Sequence, residues 1–264
     1  MGCQREDAGA AWIRFLEGLG AVERRLALAA VDPVDWRRRS AQIEGGEDSL
    51  AMARRLVARA PAPGPWRRAR RRALDALEYL DSLGAWARIP GTPGWPAALD
   101  TGGEPVALLV GRGEIPRGDA LGIVGTRRSS PAGDALARAL AMAWVEQGGW
   151  VVSGGARGID AAAHRGALAA GGATVAVAAT GLGHPFPREH RGLFARIERA
   201  GALVSEYPPT FPGRPTSFLD RNRIIAGLAS TVVVVEAPPR SGALSTARFA
   251  LKCGRKVLTV PGNP

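Results

Sequence analysis

The chain has 264 residues, 46% hydrophobic and 22% charged, with a formal net charge of +11 at pH 7. No stretch approaches the roughly 18 apolar residues of a membrane-spanning helix, and two cysteines, Cys3 and Cys253, cannot build a disulfide framework or a four-ligand zinc site. The surplus of cations favours a polyanionic partner over a small neutral substrate.

The N-terminus, MGCQREDAGAAW, has acidic residues early and no apolar core of a secretory signal. Glu6 stands where N-myristoylation needs Ser or Thr, so Met1-Gly2-Cys3 is not read as a lipidation site. A reducing cytoplasm is the expected compartment. Of the 35 basic residues only Lys252 and Lys256 are lysine. Arg, Ala, Gly and Pro are enriched together, which coding bias explains, so the position of the arginines matters more than their number.

Residues 1–88 read as a small helical domain, with helical patterns in AAWIRFLEGLGAVERRLALAA, more weakly in DSLAMARRLVARA, and again in RRALDALEYLDSLGA. Breakers around Ala60-Pro61-Ala62-Pro63-Gly64-Pro65 separate them. Phe15-Leu16-Glu17-Gly18-Leu19-Gly20-Ala21-Val22 resembles the turn of helix-hairpin-helix units, where glycines let backbone N–H groups approach a phosphate. It also reads simply as a tight turn. Arg67–Arg72 is a basic run expected at a helix start, which the helix dipole disfavours; a phosphate contact or a solvated face would account for it.

Residues 89–120 are a turn-rich connector with one expected strand, Val106–Val110. Apolar β-type runs then recur at Leu121–Gly125, Trp150–Ser153, Thr174–Ala179, Ala202–Tyr207, Thr231–Ala237 and Lys256–Val260, with helical stretches between most of them. The first helix shows Ser129 or Ser130 as its N-cap, Pro131 near the first position, Asp134 in the first turn and Gly148 past its end. Continuous Val-rich strands alternating with helices predict a mostly parallel sheet covered on both faces. Residues 121–264 are therefore expected to form a Rossmann-like α/β domain, with ligands at the C-terminal edge of its strands.

The loops at that edge carry glycine and arginine repeatedly: Gly125-Thr126-Arg127-Arg128, Ser153-Gly154-Gly155-Ala156-Arg157-Gly158, and Thr180-Gly181 onward to Arg188. The fourth strand leads to Asp220-Arg221-Asn222-Arg223, and the fifth to Arg240-Ser241-Gly242. Glycine admits an anion to backbone amides, and arginine offers bidentate, charge-assisted bonds to phosphate. A basic phosphate groove is the expectation. There is no G-x-G-x-x-G after the first strand and no G-x-x-x-x-G-K-[ST], so neither NAD nor P-loop ATP chemistry is supported. His164, His184 and His190 lack ligand-type spacing for a metal; no metal or cofactor is expected. His164 reads as a packed histidine, and Ser153 has no identifiable His-Asp partner for nucleophilic work.

GIVGTRR, SGGARGIDAAAHRGAL, ATGLG with PFPREH, LVSEYPP, RNRIIAGLA, VVVVEAPPRSGALSTARFAL and KVLTVPGNP, in this order, resemble the DprA/Smf family of DNA processing proteins over about residues 90–264. The helical N-terminal part is similar in size and position to that family's small sterile-alpha-motif-like domain. The resemblance implies a non-enzymatic protein that binds single-stranded DNA, protects it during natural transformation, helps load the RecA recombinase and dimerises through its Rossmann-like domain. It implies a DNA pocket at Arg127, at Ser153 to Arg157, at Arg188, and at Arg221, Asn222 and Arg223. Arg214 falls where relatives tend to carry another basic residue. Gly125, Arg128, Gly158, Ser241 and Gly242 complete the expected phosphate-binding set. Phe218-Leu219-Asp220 stands where relatives have Phe-Pro before RNR, and the chain stops at Pro264 where many relatives continue into a winged-helix domain.

The rival reading is a Rossmann-like nucleotide sensor or phosphoribohydrolase. The latter's signature has a glutamate just after its glycine turn to stabilise a cationic ribosyl transition state. Here that place falls on Ala247 or Arg248, and an arginine would repel the developing charge. Single-strand binders add aromatic stacking to a basic groove. Phe186 and Tyr207 are the candidates, while Trp144 and Trp150 read as core.

Overall fold

The computed structural model describes residues 8–31, 53–54, 63–101, 104–239 and 241–261. Most of the helical pattern at 48–60 lies outside the described residues, as do Arg240 and the terminal Gly262, Asn263 and Pro264. Three N-terminal helices are described, α1 (Ala8–Glu17), α2 (Ala21–Val31) and α3 (Pro63–Ser82). There follow β1 (Trp86–Arg88), β2 (Leu109–Gly113), β3 (Ala120–Val124), α4 (Pro131–Glu146), β4 (Trp150–Ser153), α5 (Ile159–Ala169) and β5 (Thr174–Ala178). The chain continues through α6 (Arg191–Ala200), β6 (Ala202–Ser205), α7 (Pro215–Asp220), α8 (Asn222–Leu228), β7 (Thr231–Val234), α9 (Ala243–Lys252) and β8 (Lys256–Thr259).

These strands form one sheet in the order β1-β2-β6-β5-β4-β3-β7-β8. All neighbours from β6 to β8 are parallel, while β1 and β2 add an antiparallel edge beyond β6. The fold is the mostly parallel α/β sheet that the alternating pattern predicts. The connector strand differs: the sequence places it at Val106–Val110, whereas β2 begins at Leu109, which pairs with Arg88 of β1, and the ladder to β6 begins at Val110, opposite Ser205. Val106 to Leu108 are apolar because they are buried, not because they pair, and no periodicity separates the two causes.

Alternation along the strands splits the core into two faces. Val175, Val177, Val152 and Val204 pack with Ile224, Ile225 and Ala243 from α8 and α9. Ala176 and Leu203 face the other way, toward Phe194 and Ile197 of α6 and toward Trp12, Leu16 and Leu26 of the N-terminal helices. The helical N-terminal residues thus share an apolar cluster with the sheet. At α4 the expected cap is present: Ser130 Oγ accepts from Gly133 N at 3.0 Å, with Pro131 next and Gly148 in the left-handed region past the helix. Arg67–Arg72 lies inside α3, which begins at Pro63, so the run does not oppose a helix start as the sequence suggests.

His164 on α5 is fully buried, with Nδ1 2.7 Å from Thr174 Oγ1. That hydroxyl donates its single proton to Val151 O at 2.9 Å, so Nδ1 must carry the hydrogen and donate. Burial lowers the imidazole pKa to about 3, helped by the positive field of His190, Arg221 and Arg165. An unfolded histidine takes up a proton near pH 6.5. The folded one does not, so the stability held by neutral His164 is complete above pH 6.5 and is lost as pH falls toward 3. Urea titrations should show about 2 kcal/mol more loss between pH 7.5 and pH 5 in the native protein than in His164→Asn. Equal losses would show that the imidazole is not held neutral.

Candidate nucleic-acid interface

The strand order reverses direction between β3 and β7, and the crevice outside their C-terminal ends is where ligands of such sheets bind. A cavity of about 350 Å³ opens there. The β3 loop (Gly125 to Arg128), Phe218 and Leu219 of α7, Arg221 and Asn222 at the start of α8, and Ser241 to Ala243 all line it. A smaller cavity of about 80 Å³ adjoins it between Arg127, Arg157, Phe186 and Phe218.

The floor of the crevice is built around Arg221, which is buried. Its Nη1 donates to Gly154 O at 2.6 Å and to Val177 O, and its Nε donates to Asn222 Oδ1 at 3.2 Å. One guanidinium therefore ties the C-terminal ends of β4 and β5 together. A Cβ on Gly154 would collide with this guanidinium, so the SGG turn needs glycine for close approach. Asn222 extends the tie by donating from Nδ2 to Gly242 O at 3.0 Å and to Ser245 Oγ at 2.7 Å.

Asp160, also buried, faces Arg221 and accepts from Ala156 N at 3.3 Å. Burial pushes its carboxyl above the usual carboxylate range, and Arg221 with the Ala156 and Gly154 amides pulls it part of the way back. Burial lowers Arg221 to about 10, opposed by Asp160, so it remains a cation at neutral pH.

The two turns that look built for phosphate already hold carboxylates. The amides of the SGGARG turn are directed at Asp160. At the start of α4, Glu236 accepts from Ser130 N at 2.9 Å and from Ser130 Oγ. A helix start holds about half a positive charge for an anion, and Glu236 from the end of β7 supplies that anion from within. Asp160 and Glu236 are site residues that the sequence pattern does not reveal, since nothing local distinguishes them from solvated acids.

The other expected site residues divide by exposure. Arg127 and Arg128 are exposed on the rim, with Arg127 over the Phe218 ring at 5.2 Å. Arg157 is exposed and ion-paired with Glu189. Gly125 and Gly158 bring the β3 and β4 loops together, and a Cβ on Gly158 would strike Thr126 O. Ser241 and Gly242 line the main cavity. Ser153 is buried and donates to Ile123 O at 2.6 Å, and Gly155 is buried beneath the turn, so neither reaches the surface. Arg223, expected in the groove, is instead wholly buried in an ion pair with Glu206. It lies two residues past Arg221 on α8 and so turns into the protein. Arg188 and Arg214 are exposed but line two further cavities.

The aromatic expectation is half corrected. Tyr207 is buried against Phe211, with ring centroids 4.5 Å apart, and cannot stack on a ligand. Phe186 is 51% exposed and meets Phe218 edge-on at 5.7 Å. Phe218 replaces Tyr207 as the second ring; its signal in the sequence was the altered Phe218-Leu219-Asp220 stretch. Gly18, Leu19 and Gly20, read as a phosphate-facing hairpin, have their N–H groups engaged by Arg14 O, Leu16 O and Glu23 Oε2.

The sequence profile of the family described as DNA recombination-mediator protein A matches residues 87–264. The putative DNA processing protein DprA of Mycobacterium tuberculosis is 41% identical over 208 residues, covering 72% of this chain and 53% of that protein. Protein Smf of Synechocystis is 43% identical over 167 residues, covering 61% and 41%. The chain spans about half the length of the curated relatives it matches. Among solved structures, DNA processing protein A of Streptococcus pneumoniae is similar at a TM-score of 0.66 and 28% identity, covering 97% of this chain and 87% of that one. That of Helicobacter pylori, described for its single-stranded DNA binding mode, gives 0.61 and 28%, covering 68% and 81%.

Burial separates the arginines by role, and stability measurements can read the difference. Arg221→Ala removes a buried cation and strands Asp160, which should cost about 3–5 kcal/mol and lower Tm by roughly 10 °C. Arg127→Ala, on the rim, should stay within about 0.5 kcal/mol of the native protein. Equal effects of the two substitutions in a thermal melt would contradict the buried-floor geometry.

Proposed function

The chain belongs to the DNA recombination-mediator protein A family, and on that premise we propose that it binds single-stranded DNA along the Arg127–Phe186–Phe218 crevice. The carrying observation is the interleaving of exposed cations and rings. Arg127 lies over the Phe218 ring, Arg128 lines the main cavity with Phe218, and Arg157 lines the smaller cavity with Phe186 and Phe218. Arginine engages phosphates in a planar, bidentate way, and exposed rings stack on bases without regard to sequence. A duplex buries its base faces, so the exposed Phe186 ring, backed by half-buried Phe218, favours a single strand.

The protein acts by binding rather than by turnover in this reading. Ala247 and exposed Arg248 occupy the place where a ribohydrolase needs a glutamate. Its role is that of a cytoplasmic mediator that protects incoming single strands in natural transformation and delivers them to the RecA recombinase. The protein works as a homodimer. These finer roles rest on the family resemblance, and the crevice supports only the DNA-binding step.

Fluorescence anisotropy with labelled oligo-dT over a salt series tests the reading. Affinity should fall steeply with salt, and Arg127→Ala should reduce the log–log slope by about 0.7, the share of one single-strand phosphate contact. Phe186→Ala should weaken binding by about 1–3 kcal/mol at unchanged slope, since stacking releases no counterions. Efficient displacement by a free mononucleotide, with native affinity in both variants, would instead favour the nucleotide-sensor reading.

A further inference from the structure

Four cavities adjoin one another along the C-terminal edge of the sheet. The main crevice shares Arg127 and Phe218 with the small cavity beside Phe186. Phe186 also lines a third cavity of about 160 Å³, together with His184, Arg188 and Arg191. Pro212 joins that one to a fourth, of about 330 Å³, between α3 and the segment leading into α7, lined by Arg72, Asp75, Phe211 and Arg214.

Resting on the single-strand reading above, we propose that the strand's path continues past Phe186 and ends in the fourth cavity. There Arg72 of the N-terminal helices and Arg214 of the α/β part hold consecutive phosphates. Each cavity on this path presents at least one arginine, and the cations come from five separate segments of the chain. A mononucleotide would fill one such cavity; only a polymer can use them all. The acidic member of the fourth cavity, Asp75, accepts from Arg71 Nε at 2.9 Å, which offsets its charge.

The wall between the third and fourth cavities is fixed in place. Gly181 N donates to Phe211 O at 2.7 Å and Gly183 N to Pro209 O at 3.0 Å, lacing the loop after β5 to the loop after β6. A Cβ on Gly183 would stand 2.5 Å from a ring carbon of Tyr79, so α3 is seated directly on the β5 loop. Arg72 donates to Val31 O at 3.2 Å, which anchors its guanidinium between α2 and α3. The N-terminal helices therefore present Arg72 at a set position relative to the sheet edge, as a phosphate register requires.

Strand length separates this proposal from the one it rests on. Oligo-dT of about six nucleotides fits the crevice beside Phe186, whereas one of about twenty covers the whole path, given site sizes of about 4–16 nucleotides in other single-strand grooves. The double variant Arg72→Ala, Arg214→Ala should bind the short strand as the native protein does. It should lose tenfold or more for the long strand at moderate salt, with the salt slope reduced by about 1.4, two phosphates' worth. Arg127→Ala should weaken both lengths. Both arginines are exposed, and a thermal melt checks that the double variant folds; Arg72→Gln alone, expected to remove half of the slope change, serves if it does not. Equal losses for both lengths, or none for the long strand, would overturn the extended path while leaving the crevice intact. Failure of the native protein to bind either length would overturn the single-strand reading itself.

Discussion

The crevice depends on one buried cation. Arg221 bonds the carbonyls at the ends of β4 and β5, faces Asp160, and through Asn222 reaches the Gly242 turn. Taking a guanidinium out of water is costly unless its protons are bonded and its charge is answered. Here Nη1 and Nε are bonded and Asp160 answers the charge, so the loops around it must sit where its donors reach. The same charge lies beneath the crevice, where the surrounding protein screens it less than water would. Because Asp160 answers that charge, the floor is a paired site, and the exposed cations of the crevice are those of its rim, Arg127 and Arg128.

Internal carboxylates stand at the two turns where a phosphate would be received. In a dinucleotide-binding sheet the first helix start receives the pyrophosphate. In this chain Glu236 already occupies the start of α4, and Asp160 collects the amides of the next turn. A terminal phosphate has no empty helix start to enter among these two. The exposed cations at this edge are instead side chains on the rim, Arg127, Arg128 and Arg157.

The sheet was legible because its physics is local. Continuous Val-rich runs can be buried on both faces only in a parallel sheet, and Ser130-Pro131 announces a helix start by its own capping chemistry. The connector strand was displaced because buried Val106 to Leu108 look like strand residues without pairing. The loops that line the candidate crevice were legible, but the exposure of their side chains was not. Arg221, Arg223 and Arg127 are the same residue type in similar motifs, yet one forms the floor, one is buried against Glu206, and one lines the rim. Exposure depends on what packs above a residue, which a single sequence does not state. Tyr207, read as a stacking candidate, is buried for the same reason.

Photocrosslinking of the native protein with an iodouracil-substituted single strand, followed by peptide mapping, tests the central claim most directly. The account predicts adducts on the peptides that carry Phe186 and Phe218, suppressed as salt rises. Adducts confined to surfaces away from the crevice, such as the exposed outer faces of α9 and β8, would contradict it.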